Sequence, residues 1–146
     1  MIFLTVSVLA LSFPGCGKKE NTSDRTLRVG IVTYTQDDPF INTMTEQIRE
    51  DLKLKESKDM KILVSVKNGD NDQRDQDELV EEMIAAGCDV LCVNLVDRTA
   101  PSDIIKAARQ EKIPVIFFNR EPVKEDLMQW DQLYYVGCDA KQVGRN

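Results

Sequence analysis

The segment 33-TYTQDDPF-40 leaves the apolar run 27-LRVGIV-32 through two adjacent carboxylates, Asp37 and Asp38, and sets an aromatic ring two residues later at Phe40. As a simple turn, Asp37 would cap the next helix and Pro39 would open it. That reading accounts for neither Asp38 nor Phe40. A carboxylate accepts O–H bonds, and an aromatic face covers the C–H surface of a ring-shaped ligand without polar atoms to desolvate. Asn94, near the end of the run 88-CDVLCVNLV-96, adds an amide that both donates and accepts. Asp38, Phe40 and Asn94 together suit a hydroxylated ring. Singly, each has a plainer role: Phe40 as the first core residue of a helix, Asn94 as the satisfier of a turn. The combination carries more weight than any member.

Other chemistries lack their residues. The chain has no histidine, which removes the commonest general base and the commonest transition-metal ligand. No catalytic residue and no metal site are expected, and an enzyme is the least favoured reading. Neither G-x-G-x-x-G nor a Walker pattern occurs, and acids in the first turn would repel pyrophosphate. Two acids after a first strand also suit a Mg²⁺-dependent phosphoacceptor site. That site needs a third acid after the third strand and a lysine later, whereas this chain offers Asn94 with Asp97 displaced, then Asn119 and Arg120. A net charge of −6 without a clustered basic surface argues against nucleic acid.

The elements that must position these residues follow an alternating pattern. Strand candidates are 27–35, 60–68, 88–96, 113–119 and 133–137, each rich in β-branched or aromatic residues. Between them, residues 40–54 set Phe40, Met44, Ile48 and Leu52 on one helical stripe, and 75–86 group Leu79, Met83 and Ala86. A third helix, 101–111, opens at Pro101 and packs Ile104, Ile105 and Ala108. Strands apolar on both faces and separated by single helices predict an α/β, doubly wound parallel sheet with helices on both faces. In such a sheet ligands sit outside the carboxyl ends of the strands. Asp38, Phe40 and Asn94 all follow strands.

The N-terminus differs in composition. Residues 1–15 contain the apolar block 2-IFLTVSVLALSFPG-15, of secretory-leader size, and residues 16–26 form a polar tether. Cys16 at the junction resembles a bacterial lipoprotein processing site, where the cysteine is acylated. No later segment is apolar for long enough to span a membrane. Among the other cysteines, Cys92 is expected as a small core residue, and a Cys88–Cys92 disulfide would need a span that four extended residues exceed.

The segments 36-QDDPF-40, 70-DNDQRDQ-76, 93-VNLVD-97, 115-VIFFNREP-122 and 134-YYVGCD-139, in order and at matching spacing, together resemble the N-terminal lobe of the periplasmic glucose/galactose-binding proteins, sugar receptors of ABC importers. The resemblance implies a hexose ligand held by Asp38, Phe40 and Asn94, an ABC permease and a chemoreceptor as partners, and an extracytoplasmic location, lipid-anchored or periplasmic. It implies one lobe over residues 27–137, a first hinge crossing at Gly137, Cys138 and Asp139, and the start of a second lobe in 138–146. The family's calcium site and most polar sugar contacts belong to that second lobe, so no cofactor is expected in this chain. The chain is expected to be a truncated lobe that binds hexose weakly or undetectably alone, with apolar surface exposed around the fifth strand and a tendency to dimerise. A pentose receptor shares the loop chemistry. A LacI-type repressor effector domain shares the fold, but would need a basic helix-turn-helix where this chain has its leader.

Overall fold

The computed structural model describes residues 25–138. The leader, Cys16 and Asp139 therefore lie outside the described residues, as does most of the tether. The elements run β1 Arg25–Thr33, α1 Pro39–Leu54, β2 Met60–Asn68, α2 Gln73–Ala85, β3 Val90–Val93, α3 Ser102–Glu111, β4 Val115–Phe118, α4 Lys124–Leu127 and β5 Leu133–Val136. All strand pairs are parallel, in a five-stranded sheet of order β2-β1-β3-β4-β5. The order reverses at β1, so the switch in winding lies between β1 and β3, where a doubly wound sheet opens a crevice at its carboxyl edge.

Period-2 alternation assigns the two faces. Val32, Leu91, Val93, Val115, Phe117 and Leu133 point to the side where Val80 and Met83 of α2 and Ile104, Ile105 and Ala108 of α3 complete the larger core. Val29, Ile31, Ile62 and Phe118 point to the other side, against Met44, Ile48 and Leu52 of α1. At the far edge of that second side Tyr134 and Val136 stay 51% and 63% exposed, which is the apolar surface expected around the fifth strand.

Several boundaries differ from expectation for local reasons. β3 stops at Val93, short of residue 96, because side chains of α2 and not a neighbouring strand take the next backbone groups: Gln76 donates to the Asn94 carbonyl (2.9 Å) and accepts from the Val96 amide (3.0 Å). β4 starts after Pro114, which has no N–H to give a ladder, and ends before Asn119, whose φ of 62° leaves the extended region. α2 begins at Gln73 because Asp72 Oδ1 accepts from the amides of Arg74 (2.8 Å) and Asp75 (3.3 Å). Ala86 is its exposed C-cap and does not join the core. In α1 the buried positions are Ile41 and Thr45, with Met44, Ile48 and Leu52 half-buried; Phe40 is not on the core stripe. The single turn α4 carries no apolar period long enough to read from sequence.

Cys88 and Cys92 are both free thiols that pack on opposite sides of the sheet. Cys92 is half-buried among apolar side chains, and burial pushes its thiol up to about 11.

Candidate functional site

The loop after β1 is built around Asp38. Its side chain caps α1, Oδ1 accepting from the Phe40 amide at 2.9 Å and the Ile41 amide at 3.4 Å, while Pro39 fills the first helical turn. Capping therefore falls on Asp38 and not on Asp37, whose amide donates to Thr35 Oγ1 at 3.2 Å. The second carboxylate oxygen is engaged separately. The Tyr34 hydroxyl donates to Asp38 Oδ2 at 2.6 Å. That bond, followed by the two backbone amides and the nearby Arg120 charge, holds the Asp38 carboxyl below its ordinary range against a smaller opposing desolvation. The same bond raises the Tyr34 phenol.

Phe40 stands beside this carboxylate at the N-terminal turn of α1 and is 60% exposed. A phenylalanine so placed is available to an incoming ligand, since Ile41 occupies the core position one residue on.

Asn94 sits one residue past β3 and is fully buried. Its amide N–H donates to the Val32 carbonyl at 2.9 Å, and its side-chain Nδ2 donates to the Phe118 carbonyl at 3.1 Å. Asn94 Oδ1 has no partner. A buried acceptor left unpaired costs on the order of 1–3 kcal/mol, so this oxygen would gain from a donor. The residue thus bridges β1, β3 and β4 at their carboxyl ends, and in this arrangement its side chain is not open to solvent.

The three sequence-selected residues share one edge, and other residues hold them there. Arg120, in the loop after β4, lies with its guanidinium 3.7 Å from the Tyr34 ring centroid. Its Nη1 donates to the carbonyls of Leu95 (3.2 Å) and Val96 (2.8 Å) in the loop after β3. Gln73 accepts from the Asp97 amide at 2.8 Å, and Asp97 accepts from the Thr99 amide and hydroxyl, bonds that lower its carboxyl. Sequence reasoning named neither Tyr34 nor Gln76 and read Arg120 only against a phosphoacceptor site. Tyr34 stands inside the acidic segment and Arg120 inside 119-NREP-122, but nothing in spacing alone joins them.

A concavity of about 640 Å³, lined by Val96, Asp97, Arg98, Thr99, Arg120 and Val123, opens beside Arg120 on the same edge. Another of about 610 Å³ lies between α1 and β2, far from these loops. Neither is lined by Asp38, Phe40 or Asn94, of which Phe40 is exposed, Asp38 half-buried and Asn94 buried. Among the described residues no group of three or more His, Cys, Asp or Glu is arranged to hold a metal ion, and no helix is long and apolar enough to cross a membrane.

The expected hinge residues Gly137 and Cys138 follow β5 and are exposed. A Cβ at Gly137 would clash with the Tyr135 hydroxyl, which itself donates to the Asn119 carbonyl at 3.2 Å. The chain can leave β5 along this path only while that position is glycine or Tyr135 moves.

A family model described as a periplasmic binding protein domain matches residues 29–146. The D-galactose/methyl-galactoside binding periplasmic protein MglB of Haemophilus influenzae is 34% identical over 117 residues, covering 80% of this chain and 34% of that protein. The ribose import binding protein RbsB of Bacillus subtilis is 26% identical over 125 residues, covering 82% of this chain and 39% of that protein. The chain thus spans little more than a third of the length of these relatives. Among solved structures, a carbohydrate transporter solute binding protein from Chloroflexus aurantiacus in complex with D-glucose superposes with a TM-score of 0.64 and 29% identity, over 82% of this chain and 33% of that one.

Proposed function

The chain belongs to the periplasmic binding protein domain family, and on that premise we propose that it is one lobe of a two-lobed sugar receptor that delivers a hexose to an ABC importer. The observation that carries this reading is Phe40, a large aromatic left 60% exposed next to a carboxylate at the winding switch of the sheet. A phenylalanine serving only the fold would occupy the position that Ile41 fills. In the proposed pose the ring covers the C–H face of the sugar, Asp38 Oδ2 accepts one hydroxyl, and Asn94 Oδ1 accepts another once the edge opens to admit it.

Galactose and glucose are favoured by the stronger match, that to the galactose-binding relative. The ribose relative supports a pentose as the second reading, because the same three groups suit any hydroxylated ring. The receptor would work outside the cytoplasm, held by an acylated Cys16 or free in a periplasm. Its partners would be a permease and a chemoreceptor. A two-lobed receptor encloses its ligand by hinge closure, so a single lobe leaves the sugar half solvated and binds it weakly.

Titration calorimetry of galactose, glucose and ribose tests the reading on this chain and on its reading frame extended downstream. Binding of a hexose by the extended protein, with heats too small to fit on this chain, is the expected result. Ribose binding without hexose binding would replace the hexose assignment by the pentose one. No binding of any of the three would overturn the sugar reading.

A further inference from the structure

We infer that Tyr34 and Arg120 are positioning residues that fix the Asp38 carboxylate in one presentation toward a ligand hydroxyl, an inference that rests on the sugar-binding reading of the same site. A helix cap needs one acceptor oxygen, and Asp38 Oδ1 meets that need with the Phe40 and Ile41 amides. The bond from Tyr34 to Oδ2 is therefore surplus to capping.

What holds Tyr34 is equally specific. Its ring lies under the Arg120 guanidinium, and Arg120 is anchored from its own loop by Nη1 to two carbonyls of the loop after β3. The φ of 62° at Asn119 and the bond from the Arg120 amide to the Phe118 carbonyl (2.7 Å) turn Arg120 back over the sheet edge. A chain of contacts thus runs from the loop after β3 through the loop after β4 to the loop after β1. It ends on the one oxygen of Asp38 that capping leaves over.

Lone-pair geometry gives the consequence. An ionised carboxylate has about four acceptor directions. Phe40, Ile41 and Tyr34 occupy three of them, and the remaining one is on Oδ2. Asp38 then accepts a single ligand hydroxyl, from a direction set by the Tyr34–Arg120 stack. The groups facing Asp38 that carry or change charge are Tyr34 and Arg120.

The test uses this chain, with carboxyl-¹³C aspartate, in wild type, Tyr34→Phe and Arg120→Lys. Asp38 is titrated by NMR without sugar, and its galactose response is then followed at neutral pH. Both substitutions should move the Asp38 midpoint up toward the ordinary carboxylate range. Both should weaken the galactose response about tenfold, the lower end of what one charge-assisted hydrogen bond supplies. Arg120→Lys keeps the charge and loses the stacking plane, so a lysine chain indistinguishable from wild type in both readouts overturns the role of Arg120. An unmoved midpoint in Tyr34→Phe overturns that of Tyr34. If Tyr34→Phe loses its amide dispersion, the lysine variant alone decides. If neither this chain at about 100 mM galactose nor the frame extended downstream responds to the sugar while the sugar-free midpoints still shift, the sugar assignment falls and the positioning pair stands.

Discussion

Asp38 does two jobs with two oxygens, and the jobs separate by substitution. Asp38→Asn keeps an acceptor for the cap and removes the charge, whereas Asp38→Ala removes both, so Ala should lower the melting temperature more. A carboxyl whose folded pKa is depressed stabilises the fold above its unfolded pKa, and that contribution disappears as pH falls through the folded value. The stability gap between wild type and Asp38→Asn should therefore be present at neutral pH and close in acid, below the ordinary carboxylate range; denaturant melts across that range check it. Phe40 gives the complementary case. Because the ring is largely exposed, Phe40→Ala should change stability by no more than about 0.5 kcal/mol while abolishing any galactose response, a split that a core residue would not show.

The elements place these residues through contacts that a linear reading cannot see. Gln76 is fully buried in α2 and ties down both the Asn94 carbonyl and the Val96 amide. Replacing it by leucine leaves the buried Asn94 carbonyl and the half-buried Val96 amide without their partner, and a loss of about 2 kcal/mol in a denaturant melt is expected. Gly30 in β1 faces α2, where an added Cβ would come within 2.9 Å of Cys88 Sγ and 3.1 Å of Leu91 Cδ2. Gly30→Ala should cost about 1–3 kcal/mol by overpacking, read in the same way. The alternation of strands and helices and the three buried residues of α3 were legible because apolar periodicity records burial directly. Strand ends were not, since β3 and β4 stop where a glutamine from another element and a left-handed asparagine take over. Asp38, Phe40 and Asn94 could be picked by chemical type after strand ends, whereas Tyr34 and Arg120 gain their roles only from the order β1-β3-β4 that folding creates. Asp37, the more obvious cap, lost to its neighbour because Pro39 starts the helix immediately after Asp38.

At the scale of the whole molecule the sheet has one side packed under α2 and α3, with Leu63 of β2 left 49% exposed on it, and one that α1 covers over β1 and β2. The proposed ligand edge lies at the carboxyl ends of β1, β3 and β4, where the loops of three strands are held together by hydrogen bonds and the Tyr34–Arg120 stack. A site cross-bonded in this way would be preformed, and preformed sites need less ordering on binding. The account therefore stands on whether a sugar finds this edge. The most direct measurement is a backbone amide NMR titration of this chain with galactose to about 100 mM, high enough to see the millimolar binding that a half-enclosed ligand permits. Saturable shifts confined to residues near Asp38, Phe40 and Asn94 are the predicted result. Linear, scattered shifts, or saturable ones clustered in the groove between α1 and β2, would contradict it.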